Sequence, residues 1–178
     1  FEACGVIDIR VGDGTYVCTS LSAKNINPLI FSLLIVKPNF KELVQFREKI
    51  ELDILDLIIK DDALTEAILP KLEKNLAELH KLQSACATPG EFWANEKEFH
   101  STLADGCNNI IFQTVYGFIF EFFSNDIENS HKRQEFGIIV IRDHERIFSA
   151  IRTRSFSMAK MAIIESMGSW VNLLSGSP

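Results

Sequence analysis

The chain has 178 residues, with 47% hydrophobic and 24% charged content and a net charge of −6. That composition describes a folded domain rather than a disordered segment, and the acidic balance argues against a broad nucleic-acid-gripping face in these residues. The densest apolar run, Pro28 to Val36, falls far short of the ~18 residues a membrane span needs. Phe1-Glu2-Ala3-Cys4 does not resemble the start of a secretory signal. Fourteen Phe against two Tyr and two Trp predict a Phe-rich core. Cys4, Cys18, Cys86 and Cys107 form no CxxC pair, so a zinc knuckle has no support, and their dispersal suits a reducing cytoplasm.

Chain order then gives the elements. "GVIDIR" (Gly5 to Arg10) and "GTYVCTS" (Gly14 to Ser20) are short β-rich runs around "VGDG", and Asp13-Gly14 signals a hairpin turn. An isolated hairpin is marginal in water, so this one is expected to belong to a larger unit. From Asn25 onward the pattern is helical. A first helix is expected over Asn25 to Val36, ended by Pro38. The second, Phe40 to Lys60, carries an apolar stripe of Leu43, Phe46, Ile50, Ile54, Leu57 and Ile58. The third runs from Thr65, read as its N-cap, to Leu82, with Pro70 near its first turns. "TPGEFW" from Thr88 opens a fourth that reaches about Gly106. Asn109 to Phe123 is apolar nearly all round and is expected in the middle of a bundle. A polar connection, Ser124 to Gln134, precedes two last helices, Gly137 to Arg152 and Ser157 to Leu173, and a loose tail "SGSP".

Within the fourth helix, "EKEFHSTLADGCNN" places Glu96 and His100 four residues apart, on one face. Taken alone, the pair reads as a core histidine or an i,i+4 contact. Its neighbours add more. "FEACGVIDIRVGDGTYV" at the start, "LVQFREKIE" (Leu43 to Glu51), "EKEFHSTLADGCNN" and "DHERIFSAIRTR" (Asp143 to Arg154) together resemble the GntR family of bacterial transcription regulators, FadR subfamily. The match lies in the order and spacing of individually weak motifs, over nearly the whole chain.

The resemblance implies an all-α antiparallel bundle preceded by a β-hairpin wing. Residues 1–20 would be the end of a winged helix-turn-helix, 21–36 a linking helix and 37–174 the effector-binding domain; most of the DNA-binding part is expected before Phe1. It implies a homodimer in the cytoplasm, bound to operator DNA through the N-terminal domain, with Arg10, Gly12, Gly14 and Thr15 of the wing at the DNA. It further implies a small effector, a carboxylate, held by Arg47 through its bidentate fork, with Asn109 as a second contact or as a helix cap. The plainer reading of Arg47 is an intrahelical pair with Glu51.

Many members of the subfamily hold a divalent metal (zinc, nickel or manganese) with one Asp and three His. The corresponding positions here are Glu96, His100, His144 and Ser166, so one carboxylate is exchanged and one imidazole is missing. Glu165, beside Ser166, points about 100° away on a helix. His80 and His131 have no counterpart and read as surface residues, and the plain reading of His144 is also a surface residue. Two rival functions remain. One is a metal-dependent hydrolase using Glu96, His100 and His144, for which neither HExxH spacing nor a nucleophile–base set is present. The other is a ligand-free interaction bundle. The expectation is a regulator and not an enzyme.

Overall fold

A computed structural model of the chain describes residue 2 and residues 7–18, 35–36, 39–85, 87–122 and 136–175. Most of the expected first helix and 21–36 linker, Cys4, Cys86, the Ser124 to Gln134 connection with His131, and the end of the tail lie outside the described residues. The chain divides into two compact units, Phe1–Phe40 and Lys41–Pro178.

In the first unit, β1 (Ile7–Arg10) and β2 (Gly14–Val17) pair antiparallel in the register Ile7 to Val17 and Arg10 to Gly14. The turn is one residue longer than a tight Asp-Gly hairpin. Gly12 at φ +85° and Gly14 at φ +145° both take the positive φ that glycine accepts, and the Asp13 N–H closes onto the Arg10 carbonyl at 3.0 Å. Arg10 pairs with Asp8 at 3.0 Å and lies over the Tyr16 ring, 4.7 Å from its centroid.

The second unit is all helical: α1 (Phe40–Lys60), α2 (Asp62–Ser84), α3 (Pro89–Gly106), α4 (Ile110–Phe122), α5 (Phe136–Arg152) and α6 (Phe156–Ser175). α2 packs on α3 and α5, α5 on α6, and α3 on α4. The apolar core is built from Ile54, Leu55 and Ile58 of α1, Ile68, Leu72 and Leu79 of α2, Phe99 of α3, and Ile147 and Ile151 of α5, all at most 2% exposed.

Three expectations change. The buried stripe of α1 includes Arg47 and Glu51, while Phe46 and Leu57 face outward. Polarity misled the reading because these two polar side chains neutralise one another inside. Asp61, not Thr65, caps α2: its Oδ1 accepts from the N–H groups of Ala63 and Leu64. Thr65 is buried one turn into the helix and its hydroxyl donates to the Ile58 carbonyl, leaving Pro70 in the helix interior. α4 buries Tyr116, Phe118 and Phe120, but Ile110 and Ile111 in its first turn are each 71% exposed, so it is a flank of this unit rather than its centre. The start of α3 follows the sequence: Thr88 and Glu91 form a reciprocal capping box with proline in the first turn.

Candidate effector site

Four helices bring five polar side chains together in a buried cluster, two of them from α1. Arg47 and Glu51 lie one turn apart on α1, and Arg47 Nε donates to Glu51 Oε1 at 2.7 Å. His100 of α3 lies alongside, with its Nε2 3.2 Å from an Arg47 terminal nitrogen. Tyr116 of α4 joins the other side: its hydroxyl is 2.6 Å from Glu51 Oε1 and 2.9 Å from His100 Nδ1. His144 of α5 completes the group. Its ring stacks on Phe99 at 3.8 Å between centroids and meets His100 edge-on at 5.3 Å.

The donors fix the protonation pattern. A guanidinium can only donate, so His100 Nε2 accepts. His100 then carries its proton on Nδ1 and donates to the Tyr116 oxygen, and the Tyr116 hydroxyl donates to Glu51. The protons shared among Arg47, Glu51, Tyr116 and His100 thus each have one place. Burial is the largest influence on the two histidines and pushes each down to about 3; the Glu51 charge opposes this at His100, and the His100 neighbour reinforces it at His144. Both rings are therefore neutral at physiological pH. For Arg47, burial works against the charge, but Glu51, Tyr116 and Glu96 outweigh it and hold the guanidinium firmly protonated. For Glu51, burial is likewise outweighed, by Arg47 and His100 and by the Tyr116 hydrogen bond, and its carboxyl stays below the usual range. Burial followed by the Glu51 charge pushes the Tyr116 phenol well up, which keeps it a donor.

Arg47 is also clamped on its faces, with Trp170 of α6 4.9 Å and Phe120 of α4 5.7 Å from the guanidinium carbon. Beside it lies a cavity of about 30 Å³, room for about one water. Arg47, Glu96, His100, Asp143, His144, Ser166 and Trp170 are among its lining residues. Its α5–α6 side carries a polar latch: Arg142 donates twice to Asp143 Oδ1 and once, at 2.8 Å, to Ser169 Oγ.

Of the residues singled out by sequence, Arg47, Glu96, His100, His144 and Ser166 meet at this cavity. His144 is a buried member of mid-α5 at 3% exposure, not a surface residue. Asn109 is elsewhere: its Oδ1 accepts from the N–H groups of Ile111 and Phe112 and caps α4, the second of the two roles considered for it. Arg10, Gly12, Gly14 and Thr15 are on the hairpin of the other unit. His80 is exposed and pairs with Glu145. Glu165 pairs with Arg146 on the outer face. Tyr116, Trp170 and Asp143 were missed. Tyr116 had a usable signal, since a lone tyrosine in an apolar helix needs a partner for its hydroxyl.

The fit of a divalent ion can be tested against these distances. Among the described residues, no three His, Cys, Asp or Glu side chains stand close enough together to hold one. The His100 Nε2 lone pair, which would face an ion, faces the Arg47 guanidinium, and the fourth position is a serine. The donor set as arranged does not fit a metal.

The helical unit thus holds a tethered arginine at a small internal cavity, and the hairpin forms a separate unit. The family described as the FCD domain matches residues 42–168, and the chain belongs to the FCD-type regulators of the GntR family. It is similar to the HTH-type transcriptional regulator LutR of Bacillus subtilis (strain 168), with 23% identity over 181 residues that cover 98% of this chain and 80% of the relative. Its fold matches that of Streptococcus agalactiae GntR at a TM-score of 0.67, with 23% identity over 94% of this chain and 75% of that one. E. coli McbR/YncC gives the same TM-score at 12% identity, over 98% of this chain and 79% of that one. The chain is thus a regulator of transcription whose helical unit is an FCD domain. No helix of the described residues is long and apolar enough to cross a membrane.

Proposed function

We propose that the helical unit senses a small carboxylate at Arg47 and that its binding changes the affinity of a cytoplasmic homodimer of the FadR subfamily for operator DNA. The observation that carries this reading is the buried guanidinium: held at one edge by Glu51 and on its faces by Trp170 and Phe120, it borders a cavity reached by four helices. A pre-oriented arginine in a low-dielectric site recognises a carboxylate through paired, charge-assisted hydrogen bonds.

The cavity is too small for an organic acid as it stands, and that supports a switch rather than opposing one. An effector must part α5 from α6, breaking the Arg142–Ser169 latch, so its binding selects a different helix arrangement. The wing, with Arg10, Gly12, Gly14 and Thr15, serves as a phosphate-contacting hairpin, and Arg10 would give up its pairing with Asp8 to do so.

Operator binding by the full-length protein, followed by fluorescence anisotropy across a panel of two- to six-carbon carboxylates, tests the reading. At least one acid is expected to change operator affinity ~10-fold or more in the wild type, a coupling of about 1.4 kcal/mol, and not in Arg47→Lys. No operator binding under any condition, or an effector response unaltered by Arg47→Lys, would overturn it.

A further inference from the structure

We infer that Arg47 takes the part of the metal in this chain: its guanidinium sits on the ion-facing nitrogen of His100, and the cavity binds its anionic ligand without a divalent ion. Three independent features lead there. The first is geometric. His100 Nε2, its one free ring acceptor once Nδ1 carries the proton, accepts from Arg47 at 3.2 Å. An ion on that nitrogen would have to displace a cation locked in place by Glu51, Trp170 and Phe120. The second is the direction of the ring. Tyr116 and Glu51 orient His100 from behind through Nδ1, as an outer hydrogen-bonding shell does for a metal-bound imidazole, but here the oriented lone pair meets an arginine. The third is the donor count. Ser166 occupies the wall where a further imidazole would be needed, and a hydroxyl is a poor ligand for zinc or nickel.

The substitution keeps the chemistry of the site while changing its means. A metal and a guanidinium both offer positive charge to a carboxylate. The ion does so by coordination and needs deprotonated ligands around it; the guanidinium does so by two parallel N–H bonds and needs a carboxylate behind it. Glu51 provides that support here. This inference concerns the cavity of the proposed function, but the two fail separately: a bound metal would refute the substitution and leave effector-controlled DNA binding intact.

The test is calorimetric titration of the full-length protein with zinc, nickel and manganese chlorides, alongside elemental analysis of protein purified without chelator. Wild type is expected to carry substoichiometric metal and to melt at the same temperature with and without EDTA. Ser166→His alone is expected to gain no tight site, because Arg47 still covers His100. Ser166→His combined with Arg47→Met and Glu51→Gln is expected to bind at least ~10-fold more tightly than Ser166→His alone. One equivalent of metal in the wild type, removed by EDTA with a fall in melting temperature, overturns the inference; so does a tight site created by Ser166→His alone. Both decisive outcomes are read on proteins that retain the Arg47–Glu51 pair, so they stand even if the triple variant fails to fold.

Discussion

Two buried polar clusters sit within this bundle, and they are built on opposite principles. Between α2 and α3, Asn75 and Asn95 exchange hydrogen bonds reciprocally: each side-chain amide donates to the other's backbone carbonyl, at 3.0 and 3.1 Å. The pair itself is neutral, with one further contact from the Asn75 amide to Glu98 at 3.4 Å, and its work is to hold two helices in register. The Arg47–Glu51–Tyr116–His100 ring joins α1, α3 and α4 with a full ion pair and a cavity alongside. A neutral staple suffices for register. Burying two charges costs several kcal/mol per ion before their attraction is counted, so a buried ion pair at a cavity points to a use beyond stability.

Breaking the ring should therefore have a far larger effect than breaking the staple. Glu51→Gln removes the counter-charge from a fully buried guanidinium and is expected to cost about 3–5 kcal/mol in urea or thermal unfolding. A loss below about 1 kcal/mol would mean that Arg47 finds water.

Acid should attack the same region nearly as strongly. His100 and His144 are held at about 3 in the fold, against an ordinary value of 6.5. Between those values the unfolded chain binds protons that the fold refuses, so stability is complete above about pH 6.5 and falls as pH drops toward 3. Of the groups that face these rings, Arg47, Glu51 and Tyr116 keep their charge states over most of that window, and Glu51 adds its own loss only at its lower end. From pH 7 to pH 5 the expected loss is about 2 kcal/mol for each imidazole. His100→Asn should remove about half of the slope, and a flat profile would refute burial of the neutral rings.

The staple should break more gently. Asn75→Ala is expected to cost about 1 kcal/mol, because the Asn95 backbone carbonyl keeps its helical partner. Smallest of all, Lys60→Ala, which removes an exposed i,i+4 pair with Asp56, should cost at most a few tenths of a kcal/mol. A double-mutant cycle on each pair gives the ordering directly.

The same contrast explains what could be read from the sequence. The helices from Phe40 onward were legible because period and capping agree, as at Thr88 and Glu91. The start of α2 was not, because Asp61 and Thr65 both carry the side-chain oxygen of a cap, and only burial of Thr65 against α1 decides between them. The grouping of Glu96, His100, His144 and Arg47 followed from the family resemblance, since no local pattern brings α1, α3 and α5 to one point. What the sequence could not show was the direction of each lone pair. His100 reads as a ligand until Arg47 is seen on its Nε2 and Tyr116 on its Nδ1. The exposed Ile110 and Ile111 teach the converse: an all-round apolar helix is not thereby central to its own chain.

The most direct test of the account is the affinity of a responding carboxylate for the full-length protein, measured by calorimetry with and without EDTA in wild type and in Arg47→Lys. The account predicts one dissociation constant regardless of chelator, and a ~10-fold or greater weakening in Arg47→Lys, which keeps the charge but loses the fork. Binding abolished by EDTA, or unchanged by Arg47→Lys, would contradict it.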